Sequence, residues 1–128
     1  MILNSDSTKP IYIQIAEWLE TQILDGSIKT DGKIYSQYQL ADMFDINPAT
    51  AAKGLNLLAD EGVLYKKRGL GMFVTAEAEQ IIRTTRKSDT LSTLVLELVK
   101  EAEYLNVTEK ELFEMINKAK EKLKGEGK

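Results

Sequence analysis

Between Ser36 and Asp60 two helical runs follow one another with only a turn at Asp45-Ile46 between them. Ser36 can cap the first run, and Gln39, three residues on, completes a capping-box pattern. Leu40, Ala41 and Phe44 give that short helix its inner face. Asn47 is a good cap and Pro48 a good first helical residue for the second run. Its apolar positions Ala51, Leu55 and Leu58 place Ala49, Thr50, Ala52 and Lys53 on or near the outer side. A short helix, a tight turn and a helix with a polar outer face match the helix-turn-helix, which lays its second helix in the major groove of DNA.

The flanking segments extend this unit. Pro10 suits the first turn of a helix in which Ile11, Ile15, Leu19 and Ile23 recur at helical spacing, until Asp25-Gly26 stops it. Trp18 lies beside that stripe, as a core or an interface residue. Past Gly62, residues 63–68 and 72–75 are short β-prone runs around Gly69-Leu70-Gly71, which reads as a hairpin. The expected fold class is therefore mainly α with a small β-hairpin: an N-terminal winged helix-turn-helix followed by a C-terminal two-helix tail.

In the tail, Ile81, Ile82, Leu91, Leu94, Val95, Leu98, Val99, Ala102 and Leu105 keep helical spacing up to a turn at Asn106-Val107. Thr108 and Glu111 then fit a second capping box, and Leu112, Phe113, Ile116, Ala119 and Leu123 form the stripe of a final helix. This predicts a DNA-binding domain over 1–75, a two-helix region over 76–124 and a frayed tail at 125–128. Two such helices cannot bury both stripes against each other, so surplus apolar surface must meet the winged helix or another chain. A homodimer is expected, with Leu91, Leu94, Val95, Leu98, Leu105, Leu112, Phe113 and Ile116 at its interface.

Composition narrows the function. The 128 residues include no His and no Cys, which removes thiol nucleophiles, imidazole bases and ordinary zinc or iron–sulfur sites. No closely spaced acidic constellation and no phosphate-loop or dinucleotide pattern stands out, so neither an enzyme nor a cofactor nor a metal site is expected. No apolar run approaches the roughly 20 residues needed to cross a bilayer, and the start lacks the pattern of a secretory signal, so a cytoplasmic protein is expected. The formal net charge of −3 argues at first against nucleic acid, but an acidic total can hide a basic face. The dense basic cluster of the first half, Lys66-Lys67-Arg68, lies beside the expected wing.

At residues 10–75 the chain resembles the GntR family of winged-helix regulators. The resemblance rests on PIYIQIAEWLETQILDGSI, on YSQYQLADMFDINPATAAKGLNLLADEGVLYKKRG and on RGLGMFV in the wing. The remainder looks like the short tail of the YtrA-type subfamily, and NPAT followed by Lys53 is similar to a pattern common there. The resemblance implies a homodimeric bacterial regulator, usually a repressor, often of a neighbouring operon that encodes an ABC transporter. It places Ser36 and Tyr38 beside the DNA backbone, Asn47, Pro48, Ala49, Thr50 and Lys53 at the start of the recognition helix, and Lys67, Arg68, Gly69 and Leu70 in the wing. Helix N–H groups, Ser36 and Thr50 can contact phosphate, the glycines let the wing backbone approach the minor groove, and Lys53 can read guanine or neutralise phosphate. Many family members carry Arg where this chain has Tyr38, Pro48 and Ala52, so fewer phosphate contacts and a shallow salt dependence are expected.

The implied partner is a double-stranded operator of roughly palindromic sequence bound by two chains. A winged helix used as a protein-interaction module is the alternative, motivated by the acidic total and the missing arginines. A small-molecule effector between tail and winged helix would find apolar surface there, but no recognisable ligand constellation.

Overall fold

The computed structural model describes residues 3–4 and 8–126. Among these the elements are α1 (Ile11–Leu24), α2 (Gln37–Phe44), α3 (Pro48–Asp60), β1 (Leu64–Lys67), β2 (Gly71–Val74), α4 (Ala78–Arg86), a π-helical turn (Lys87–Leu91), α5 (Ser92–Tyr104) and α6 (Glu109–Glu126). They fall into two compact units, the first ending at Thr85 and the second beginning at Arg86.

Local chemistry sets the helix boundaries of the first unit. Pro10 is the N-cap of α1 rather than its first helical residue, because its ψ of 152° is extended; its carbonyl accepts from the N–H groups of Ile13 and Gln14. The capping box of α2 is complete: the Gln39 N–H donates to Ser36 Oγ at 3.1 Å, and the Ser36 N–H donates to Gln39 Oε1 at 2.8 Å. Asp45 ends α2 in the left-handed conformation at φ 53°. Asn47 Oδ1 then accepts from the Ala49 N–H at 2.8 Å, with Pro48 at the first helical position of α3.

The core lies where α1 crosses α3. Ile15, Leu19 and Ile23 from α1 meet Ala51, Leu55 and Leu58 from α3, with Leu40 from α2 and Val63, Leu64 and Val74 from the hairpin and its root. Trp18 is half-buried against this cluster; its ring lies 5.0 Å from that of Phe44, edge to face, and 5.8 Å from that of Tyr35.

β1 and β2 pair antiparallel, with Leu64 opposite Val74 and Lys67 opposite Gly71. The segment from Asp31 to Ile34, which the sequence offers only as a loop, runs along the other edge of β2. The Asp31 N–H donates to the Val74 carbonyl at 2.8 Å, the Val74 N–H to the Gly32 carbonyl at 3.0 Å and the Ile34 N–H to the Met72 carbonyl at 2.9 Å. The hairpin is thus held from both sides at its root.

The structure also moves the expected division of the chain. Ala78 and Ile82 of α4 are buried in the winged-helix core and Ile81 packs against it, so the first unit runs past 75 and takes in α4. In the second unit α5 and α6 are joined through Asn106 at φ 55°, and the Val107 N–H donates to the Ala102 carbonyl at 2.9 Å. Helix α6 continues through Glu126; the last two residues of the expected frayed tail lie outside the described residues.

At Gly54 the backbones of α1 and α3 approach closely. A Cβ built there would sit 2.9 Å from the Tyr12 carbonyl oxygen and 3.3 Å from Ile15 Cγ2. Replacing a mid-helix Gly with Ala gains about 1 kcal/mol of helix propensity. Forcing a methyl against backbone that cannot rotate away costs roughly 1–3 kcal/mol. The Gly54→Ala variant is therefore expected to be less stable than the parent, and a higher midpoint in urea unfolding would show that the crossing yields.

Candidate nucleic-acid interface

The first half of α3 presents the face that the sequence predicts. Ala49 and Lys53 are exposed, Thr50 and Ala52 are half-buried, and Ala51, Gly54 and Leu55 turn inward. Asn47 is exposed and Pro48 half-buried at the helix start, where the Asn47 side chain accepts the Ala49 N–H, so its first duty is to end the turn. Ser36 is likewise engaged in its capping box, while Tyr38 on α2 is exposed.

Strand alternation sorts the wing. Leu64 and Lys66 share one face of β1; Tyr65 and Lys67 share the other. On that second face the Tyr65 and Phe73 rings pair at 5.9 Å, and Lys67 Nζ lies 4.5 Å from the centre of the Phe73 ring. Lys67 is exposed but seated over an aromatic ring. Arg68, Gly69 and Leu70 form the exposed tip; the Leu70 N–H donates to the Lys67 carbonyl at 2.9 Å and Gly69 adopts φ 78°, which a side chain would strain.

Lys66, on the opposite face, lines a cleft of about 450 Å³ between the hairpin, the segment entering α2 and the outer side of α3. Lys33, Ser36 and Tyr38 border it from one side, Asn56 from α3. Lys33, Lys66 and Lys67 lie along it with no carboxylate among its described lining residues, so a cationic surface coexists with a net charge of −3. Sequence reasoning marked the whole Lys66-Lys67-Arg68 run as basic but carried only Lys67 and Arg68 into the wing, and it passed over Lys33 and Asn56. The period-two alternation of β1 would have separated Lys66 from Lys67; Lys33 and Asn56 carry no local signal, because the pairing of residues 31–34 with β2 creates the cleft wall.

That pairing has a side-chain counterpart. The Tyr65 hydroxyl donates to Asp31 Oδ1 at 2.8 Å. Accepting that hydrogen bond, the Asp31 carboxylate holds the Tyr65 phenol above its ordinary range, with desolvation and Asp31's charge acting in the same direction.

In the second unit, the residues expected at a dimer interface divide by exposure. Leu91, Leu94, Val95, Leu98, Leu105 and Phe113 are exposed, whereas Leu112 and Ile116 are half-buried. Leu96, Val99 and Met115 are exposed too. Among the described residues no group of His, Cys, Asp and Glu could hold a metal, and no helix is long and apolar enough to cross a membrane.

A helix-turn-helix braced by a preceding helix and followed by a β-hairpin defines the first unit as a winged-helix domain. Residues 11–74 match the family model for bacterial regulatory proteins of the gntR family, and the chain belongs to that family. It is 40% identical over 75 residues to the HTH-type transcriptional repressor NagR of Bacillus subtilis (strain 168), covering 59% of this chain and 31% of NagR. To the HTH-type transcriptional repressor YtrA of the same organism it is 29% identical over 123 residues, 96% of this chain and 94% of YtrA. The chain thus spans less than a third of NagR but nearly the whole of YtrA. A structure of a GntR-family regulator from Bacteroides thetaiotaomicron superposes with a TM-score of 0.71 at 29% identity, covering 88% of this chain and 98% of the other. AraR(DBD) in complex with operator ORX1 superposes with a TM-score of 0.54 at 29% identity, over 59% of this chain and 95% of that one. These family members are transcription regulators, not enzymes.

The Tyr65–Asp31 bond gives a pH prediction. A folded pKa raised above the unfolded value means that the neutral phenol is the form the fold favours. Its contribution is whole below about pH 10 and is lost as pH rises through the folded pKa. Wild type should lose melting temperature more steeply than Tyr65→Phe across that alkaline window; parallel curves would show that the bond contributes nothing.

Proposed function

We propose that this chain is an operator-binding transcription repressor that acts as a homodimer on an inverted repeat, with an ABC-transporter operon as its target. The observation that carries the reading is the outward face of α3, with Ala49 and Lys53 exposed and Thr50 half-buried, beside a lysine-lined cleft, in a domain whose relative AraR(DBD) is bound to operator DNA. In this reading α3 enters the major groove, and Ala49 offers a methyl to thymine while Thr50 and the helix N-terminus meet phosphate. The wing, through Lys67, Arg68, Gly69 and Leu70, follows the adjacent backbone and minor groove, with Lys66 and Lys33 facing the phosphates that cross the cleft.

The exposed apolar residues of α5 and α6 support the two-chain form, since a second copy would cover them and set two recognition helices about one helical turn of DNA apart. The repressor sense is supported by likeness to the transcriptional repressor YtrA, which the chain matches over 96% of its length, and the target operon by the resemblance of the tail to the YtrA-type subfamily.

Selection from random duplex DNA tests the reading. An inverted repeat bound by two chains per duplex is the expected result. No enrichment and no binding in low salt would replace it with a protein-interaction module. Replacing Lys66 and Arg68 together with Ala should flatten the plot of log affinity against log salt by about 0.9 for each phosphate contact removed. An unchanged slope in the folded variant would take both residues out of the interface. Leu94→Glu with Leu98→Glu should convert the protein to a monomer in sedimentation and abolish two-chain binding, whereas a dimer that persisted would place the interface elsewhere.

A further inference from the structure

We propose that Tyr12, on α1, is a positioning residue for Lys53 on the recognition helix, which extends the DNA-reading surface to α1. The inference rests on the operator reading above. Two observations carry it, one in the backbone and one in the side chains.

The backbone observation is the crossing itself. Gly54, the neighbour of Lys53, has no side chain, and the Tyr12 carbonyl fills that space: a Cβ there would be 2.9 Å from it. Tyr12 is thereby fixed against α3 at the turn from which Lys53 emerges. The side-chain observation is that Lys53 Nζ lies over the Tyr12 ring, 4.2 Å from its centre. Among the described residues Lys53 has no carboxylate within ion-pair range, so the ring is the seat the chain provides for this charge.

That seat decides what Lys53 can do. Ala49, Thr50 and Lys53 share one helix face by their spacing, and a freely rotating lysine there could swing toward a base edge or toward a phosphate. Held over a ring on α1, the ammonium is drawn to the flank of α3, while its remaining N–H donors stay available. Its partner there is a phosphate oxygen of the duplex, leaving Ala49 to face the bases. The ring also orders a flexible side chain before DNA arrives, which lessens the ordering left for the complex.

A double-mutant cycle tests this, with affinity for the selected duplex read at two salt concentrations and melting temperature followed in parallel. Tyr12→Leu should weaken binding about two- to fivefold, the size of an exposed cation–ring contact. Tyr12→Phe, which keeps the ring, should bind like wild type. Lys53→Met should lower the salt slope by about one and weaken binding to unrelated duplexes as well. Adding Tyr12→Leu to Lys53→Met should change affinity no further. Losses that add in the double variant, or a Phe variant as weak as the Leu variant, would overturn the proposal and leave Tyr12 a packing residue. If wild type selects no duplex, the operator reading fails by itself, and the Lys53 ε-methylene proton shifts decide the seat. An upfield ring-current shift abolished by Tyr12→Leu would support it, and its absence would overturn it.

Discussion

The contact between α1 and α3 at Gly54 is the constraint on which the winged-helix unit depends. With no side chain between the two backbones, Ile15 and Leu19 reach Leu55 and Leu58 directly, and each of these residues is nearly or fully buried. Burying a side chain of this size is worth about 1.5–3 kcal/mol, so these few residues outweigh any surface interaction in the unit. Everything that faces outward from α3 takes its direction from this packing. Ala49 and Lys53 are exposed because Ala51 and Leu55 are held inside. The hairpin joins the same core through Val63, Leu64 and Val74, so the wing and the recognition helix are fixed relative to one another by shared apolar contacts.

Charge is arranged on this frame locally rather than in total. An acidic chain presents a cleft bordered by lysines because its carboxylates lie elsewhere, and two of its lysines rest on aromatic rings, Lys53 on Tyr12 and Lys67 on Phe73. An ammonium over a ring keeps its charge while losing much of its freedom. The same economy of cations is visible at α4, where Arg83 pairs with Glu79 at 3.2 Å and so is partly neutralised.

The parts of the fold that could be read from the sequence are those written in neighbouring residues. Ser36 with Gln39 and Asn47 with Pro48 announce the ends of α2 and α3 because a cap is a contact between a side chain and a backbone only two or three residues away. The glycines around Leu70 announce the hairpin for a similar reason. Residues 31–34 give no such warning, since their hydrogen bonds go to β2, some forty positions along, and only the folded chain shows them as an edge. Ile81 and Ile82 continue the apolar spacing of the tail, so periodicity assigns them there. The structure instead buries Ile82 in the winged helix, because a stripe has no label for the surface it will meet. The candidate interface follows the same rule: α3, the wing tip and the basic run were legible, while telling Lys66 from Lys67 required strand alternation and Tyr12 required the three-dimensional crossing.

The second unit carries Leu94, Val95, Leu96, Leu98 and Val99 exposed along α5, with Leu105 and Phe113 exposed beyond it. Water is a poor solvent for such a surface, and whatever covers it stabilises the folded chain by mass action. The durability of this protein is then not fixed by its residues alone. In the homodimer proposed above, dilution would lower it and accumulation would raise it, so that the number of molecules in the compartment would itself become a determinant of how long each one survives.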